Sequence, residues 1–328
     1  MDKWLWNARL LLVAAAVLLT CQAGGAQSYS SGQNISPAFE GWERSPDGSM
    51  SFLFGYMNRN WEEEIDVPVG PDNTITPGVP DHGQPTHFLP RRNRFVFKVP
   101  VPKEFTVKDE MIWTLTTKGK TEKAYATLRT DYFIDDLVVA SETGALGAGT
   151  SSPEVRSNKP PVVAIDGAKT RTVRVGQTLP LSVLVTDDGI PKRRGNQGNQ
   201  GNNRNNSSSD GGPAVAQPQG ASAGPVNQAY SPPRRSTVGK VTGLHLSWFV
   251  YRGAGKVTFD PPQTKTWEDT RAGANSPWAF LWTSPTLPPD GKWIAQATFD
   301  EPGTYVLRAL ADDGALLDAG DLTVTVTR

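Results

Sequence analysis

The C-terminal stretch 297–327 alternates apolar and polar residues on either side of a short acidic turn. Residues 304–310 show the period of two that places every second side chain on one face of a β-strand. Residues 322–326 return as a β-branched strand, and Asp-Asp-Gly at 312–314 supplies turn chemistry between them. The pattern therefore predicts the last hairpin of a β-sandwich, since such a hairpin must bury one face against a second sheet.

The rest of the chain predicts the same fold class. Helical periodicity is nearly absent apart from a helical turn near 131–138, and the 32 glycines and 27 prolines suit many short strands joined by turns. Strands are predicted in the N-terminal half over 51–57, 94–99, 111–116 and 123–128. We therefore expect an all-β protein.

Three upstream segments extend the C-terminal pattern, at 183–189, 246–250 and 253–259. With the Pro-Gly-Thr-Tyr segment at 302–305, they resemble the PKD-like, immunoglobulin-like (Ig-like) domains of bacterial secreted proteins. This resemblance implies an Ig-like β-sandwich in which Trp248 is a core residue, and we expect it to face Leu307 or Val324 across the core. It implies no particular activity, because such folds carry many unrelated functions.

The N-terminal half looks like a module of uncharacterised exported bacterial proteins, a resemblance that brings no known activity with it. The segments that carry it are 41–44, 54–57, 58–66 and 84–92.

Composition divides the chain into two β-sandwich domains in series. We expect an N-terminal β-sandwich over 37–143, a Gly/Ser/Pro linker over 144–161 and the PKD-like domain over 162–328. Inside the second domain, 191–236 is rich in Asn, Gly, Gln and Ser. Because such a segment cannot bury enough apolar surface to offset its ordering entropy, it is predicted to be a long disordered insertion.

The first 26 residues read as a secretory signal peptide, with Lys3 and Arg9 flanking an apolar run at 10–19 and small residues after it. This predicts export to the periplasm, or secretion to the cell surface. A second hypothesis is a lipid anchor at Cys21, where Leu-Leu-Thr-Cys resembles a lipobox but Thr20 departs from its pattern. No later segment is apolar enough to predict a transmembrane helix.

Two counts exclude whole classes of chemistry. Cys21 is the one cysteine in the sequence, so no disulfide or zinc–thiolate site is expected after cleavage. The 33 basic and 33 acidic residues cancel, so no net field favours nucleic acid as a partner.

Two pairs of aspartates form a candidate metal site. In an Ig-like sandwich the loop holding Asp187 and Asp188 and the loop holding Asp312 and Asp313 lie at the same end. Four carboxylates there would suit calcium, the one cofactor that the sequence suggests. The alternative is that Asp-Asp-Gly only closes turns.

Four tryptophans crowd one proline-rich stretch between predicted strands: Trp267, Trp278, Trp282 and Trp293. Tryptophans on loops stack on sugar rings or anchor a partner protein, which makes them candidate binding residues for an unidentified protein or glycan at the cell envelope. The alternative is that the rings fold down as a satellite core.

In the first domain, His87 near the acidic run 62–64 is the nearest approach to an acid–base pair, and no nucleophile motif or phosphate loop accompanies it. We therefore expect a non-enzymatic exported envelope protein that acts as a binding or structural module. The alternative is a carbohydrate-active or hydrolytic accessory enzyme with its site on the loop 68–92. The enzyme hypothesis requires His87 and a carboxylate within hydrogen-bond reach in one cleft.

Overall fold

The computed structural model describes residues 29–143, 153–193 and 239–328. The predicted signal peptide, Cys21, the first half of the linker and nearly all of the insertion 191–236 lie outside the described residues. Among the helices that are described, none is long and apolar enough to cross a membrane.

The N-terminal half is a β-structure that starts slightly earlier than expected, at Ile35. Its strands are β1 (Ile35–Arg44), β2 (Met50–Asn58), β3 (Ile65–Asp66), β4 (Asn73–Thr76), β5 (His87–Phe88), β6 (Arg91–Pro100), β7 (Met111–Thr117) and β8 (Lys120–Ala126). They form a β1-β2-β6 sheet, a β4-β7-β8 sheet and a small β3-β5 sheet. A 3-10 turn (Thr130–Tyr132) and helix α1 (Asp136–Glu142) follow near the predicted helical turn, and helix α2 is Pro153–Arg156.

Aromatic rings fill the space between the two larger sheets of this half. Phe54 stacks on Phe97 at 5.3 Å, and both rings meet the buried Trp113 edge-on. These three residues come from β2, β6 and β7. The inward-facing side chains of these strands therefore form one core between the two sheets.

The C-terminal half is the predicted Ig-like sandwich. Its strands are β9 (Val162–Ile165), β10 (Thr170–Arg174), β11 (Thr178–Thr186), β12 (His245–Arg252), β13 (Val257–Asp260), β14 (Lys292–Phe299), β15 (Gly303–Asp312) and β16 (Leu317–Thr327). One sheet has the order β10-β16-β15-β12 and the other β13-β14-β11-β9. These are the A′-G-F-C and D-E-B-A orders of an Ig-like fold, which confirms the all-β, two-sandwich fold class.

Trp248 lies in the second core, where it is 2% exposed. One detail of the expectation was wrong: Leu307 and Val324 do not face Trp248 across the core, because β15 and β16 belong to the same sheet as β12. The face of β12 that carries Trp248 packs instead against the other sheet, β13-β14-β11-β9.

The two sandwiches follow each other in sequence but pack side by side. Phe249, Tyr251 and Val306, on the outer face of the β12–β15 pair, contact the first core. The guanidinium of Arg308 lies 3.4 Å from the Tyr251 ring centre, pairs with Asp321 at 2.7 Å and donates to the backbone oxygen of Val96. This packing brings segments of both domains around one cleft.

Candidate functional site

A cleft of about 620 Å³ opens where the two domains meet. The first domain contributes Glu64, Asp66, His87 and Leu89, and the second contributes the edge strands β12 and β13 with the segment 262–267. We call this the interdomain cleft. Its volume lies within the range of about 300–1,000 Å³ that is usual for ligand sites.

Strand pairing places the charged wall of the cleft. β3 pairs antiparallel with β5 so that Asp66 lies directly opposite His87. The backbone N–H of Thr86 donates to the backbone carbonyl oxygen of Tyr251 on β12. This bond fixes β5 against the second domain. Since Glu64 lies two residues before Asp66, alternation along the extended chain brings both carboxylates to the same ring.

His87 is held between these two carboxylates. Its Nδ1 lies 2.7 Å from Asp66 Oδ1 and its Nε2 lies 3.0 Å from Glu64 Oε2. Burial alone would lower the pKa of His87, but the two hydrogen bonds and the carboxylate charges raise it to about 9. The imidazole is therefore protonated at neutral pH, and both of its N–H groups are donated to the carboxylates.

The two carboxylates remain accessible to a ligand, because the side chain of Glu64 is 46% exposed and that of Asp66 is 38% exposed. Within the described part of the chain, Glu64 Oε1 and Asp66 Oδ2 are not engaged by a side chain. The wall thus presents hydrogen-bond acceptors in fixed positions.

The wall contributed by the second domain carries Trp267, which is partly buried. Lys265 lies 5.6 Å from the Trp267 ring centre and donates to Asp269 at 2.7 Å. Asp269 also receives a bidentate pair from Arg271, which lowers its pKa. These bonds hold the segment 262–267 in place.

The same wall is tied to the first domain. The guanidinium of Arg271 bonds Glu62 at 3.0 Å and lies 5.1 Å from the Trp61 ring centre, and Arg91 lies 4.1 Å from the same ring. The contacts of Arg271 with Glu62 and Trp61 therefore attach this wall to the first domain.

Three residues that line the cleft each have a buried polar atom without a hydrogen-bond partner among the described residues: Trp248 Nε1, Trp267 Nε1 and Thr266 Oγ1. Buried polar atoms are nearly always paired, so three unpaired atoms in neighbouring residues set this region apart from the rest of the described core.

The other three predicted tryptophans do not reach this cleft. Trp282 packs against His245 with ring centres 5.2 Å apart and donates to Asn275 at 2.9 Å. Trp278 lies beside Lys240, and Trp293 on β14 packs against the second core. Sequence proximity therefore grouped side chains that the fold separates.

The four aspartates of the calcium prediction each have protein partners. Asp187 accepts from the Gly189 backbone, and Asp188 from the backbones of Lys159 and Ile190. No group of three or more His, Cys, Asp or Glu side chains suited to hold a metal ion occurs among residues 29–143, 153–193 and 239–328. Calcium binding by these four aspartates therefore stays a prediction.

The second acidic pair is used inside the fold. Asp312 pairs with Lys240, while Asp313 accepts from the backbones of Ala315 and Leu316 and from Asn158. Burial raises the pKa of Asp313 to about 7. Both groups stabilise the β15–β16 turn, as the turn interpretation of Asp-Asp-Gly expects.

The sequence matches no protein-family model and no curated protein. Solved structures to which this chain is similar include a chimeric titin Z1Z2 (10% identity, 90% of this chain and 99% of that chain, TM-score 0.21). Domains 4 and 5 of the S-layer protein SbsC align with 9% identity over 90% of this chain and 98% of theirs, at a TM-score of 0.20.

The Yersinia pseudotuberculosis adhesin InvE aligns with 9% identity over 92% of this chain, at a TM-score of 0.22, and this chain covers 61% of its length. At such identities and TM-scores these likenesses carry no argument about a partner or an activity. The Ig-like architecture is instead shown by the strand order described above.

Proposed function

We propose that the protein is a non-enzymatic, exported envelope module that binds a glycan in the interdomain cleft. The observation that carries this proposal is that the Trp267 side chain and the carboxylates of Glu64 and Asp66 line the same cleft. A sugar ring offers an apolar face to an aromatic side chain, and its hydroxyl groups both donate and accept hydrogen bonds. Glu64 and Asp66 would accept hydrogen bonds from sugar hydroxyl groups, and the Trp267 ring would contact the apolar face of the sugar.

Protonated His87 favours binding over catalysis. A general base works best with a pKa near the operating pH, whereas the pKa of His87 is raised to about 9 and both ring N–H groups are occupied. The ring therefore fixes the two carboxylates in position, which lowers the cost of ordering them when a ligand binds.

The accessory-enzyme alternative keeps one specific observation in its favour. His87 and two carboxylates do lie within hydrogen-bond reach in one cleft, which is the geometric condition set for that hypothesis. Paired carboxylates are also the groups that glycoside hydrolysis requires.

Titration calorimetry of the full chain with oligosaccharides of glucose, mannose and N-acetylglucosamine tests the proposal. We expect one of them to bind, and Trp267→Ala to weaken it at least about tenfold, as loss of a central aromatic anchor does. Trp282→Ala is the matched control, since that ring lies against His245 outside the cleft.

Equal loss in both variants, or no binding by any of the three sugars, would contradict the proposal. Release of shorter sugars during incubation, abolished by Asp66→Asn, would instead support the enzyme alternative.

A further inference from the structure

A buried ion pair joins the segment before β12 to the end of β15, outside the interdomain cleft. Lys240 Nζ lies 2.6 Å from Asp312 Oδ2 and 2.8 Å from Asp312 Oδ1. The lysine side chain is 1% exposed and the aspartate side chain 10% exposed. The ammonium group of Lys240 and the carboxylate of Asp312 are therefore in contact and shielded from solvent.

Trp278 and His245 lie beside this ion pair. Trp278 lies 5.1 Å from the ammonium, measured to its ring centre. His245 is paired directly opposite Asp312 in the strand register and is 3% exposed. Burial lowers the pKa of His245, so its neutral ring adds no competing cation.

Asp312 is also positioned by a backbone donor. The N–H of Gly314 donates to Asp312 Oδ1 at 2.7 Å, while Lys240 makes its shorter contact to Oδ2. A donor on one oxygen stabilises the negative charge that this oxygen gains when a nucleophile adds to the carboxyl carbon.

We propose that Lys240 Nζ and the side-chain carboxyl carbon of Asp312 join in an intramolecular amide bond. Burial raises the pKa of Asp312, but the charge of Lys240 offsets this and lowers it, so the pair rests as ions and one proton passes to the carboxylate as the reaction begins. The freed amine then forms the N–C bond as the bond from Cγ to Oδ2 breaks. One ammonium and one carboxylate give one amide and one water molecule, with no oxidant, reductant or cofactor.

Fixed contact supplies the driving force for a condensation that is unfavourable between free groups in water. Well-oriented intramolecular partners reach effective concentrations of about 10⁵–10⁸ M. Exclusion of water from the buried site also removes the reactant of the reverse reaction.

The bond would act as a covalent staple. It joins residues that are 72 positions apart, so it would restrict the unfolded chain much as a disulfide does. With one cysteine among these 328 residues, no disulfide can join two of them. The amide would provide this stabilisation by a different chemistry.

Mass spectrometry of the purified full chain tests the proposal, after its N-terminus has been determined. We expect an intact mass lower than the sequence mass by one water molecule, and the deficit should disappear in Lys240→Arg and Asp312→Ala. Lys292→Arg is the matched control, because Lys292 lies 2.8 Å from Asp166 but its side chain is 44% exposed. That variant should keep the deficit.

Tryptic peptides give a second measurement that needs no variant. A branched peptide containing both Lys240 and Asp312 is expected, because trypsin does not cleave after an acylated lysine. A wild-type mass equal to the sequence mass, together with a free peptide ending at Lys240, would overturn the proposal and leave an ordinary buried ion pair.

Discussion

The proton on His87 should make the stability of this protein fall as pH rises above neutrality. The folded pKa is about 9, compared with 6.5 for an unperturbed histidine. Because the folded pKa is the higher one, the stabilisation is fully present below about pH 6.5 and is lost between about pH 6.5 and 9. A difference of about 2.5 pKa units corresponds to ~3 kcal/mol, and His87 is 7% exposed, so solvent screens this little.

Urea unfolding at several pH values, followed by tryptophan fluorescence, measures this effect. The free energy of unfolding of the wild type should fall by about 3 kcal/mol between pH 6.5 and 9, and that of His87→Gln should lack this fall. His82→Gln is the control, because the Nε2 atom of His82 has no hydrogen-bond partner in the described part of the chain. The pKa of Asp313 is raised to about 7, so its ionisation changes the free energy of unfolding mainly below pH 7. This change is the same in all three proteins.

If the wild type and His87→Gln lose stability in parallel over this pH range, the two carboxylates do not hold a proton on His87. The preorganised acceptor wall of the cleft would then lose its physical basis.

Two further predictions concern the second domain. Trp248→Ala should destabilise the protein by roughly 3–5 kcal/mol, because it empties a fully buried site, and an unchanged urea midpoint would refute the core assignment. Calcium bound by Asp187, Asp188, Asp312 and Asp313 would raise the melting temperature by mass action. Their present hydrogen bonds and ion pairs predict no shift at millimolar calcium against a chelator control, and a rise would restore the metal hypothesis.

Local patterns predicted many of the strands, but not β1 (Ile35–Arg44) or β14 (Lys292–Phe299). The alternation in 304–310 and 322–326 depends on which face of each strand is buried, and that is a short-range property of the sequence. The sheet to which each strand belongs is not short-range. Trp248 was therefore placed correctly in a core, while its predicted neighbours Leu307 and Val324 were assigned to the wrong sheet.

The candidate site depends on packing between domains, which alternation does not encode. Phe249 and Tyr251 occupy positions that alternate with the core residues of β12, so the pattern alone would leave them in solvent, yet they contact the first domain. That contact brings His87 to the same cleft as Trp267, 180 residues further along the chain. The nearest sequence signal was the spacing of Glu64 and Asp66, which places two carboxylates on one side of an extended segment.

The most direct test of the central claim is to observe the tryptophan indole N–H signals by ¹⁵N–¹H NMR while a glucose or N-acetylglucosamine oligosaccharide is added. Trp267→Phe assigns one signal and Trp282→Phe another. A glycan in the interdomain cleft should shift the Trp267 signal, and that of Trp248, at concentrations that leave Trp282 unmoved. Shifts confined to Trp282, or no shift at Trp267 while the sugar binds, would contradict the account.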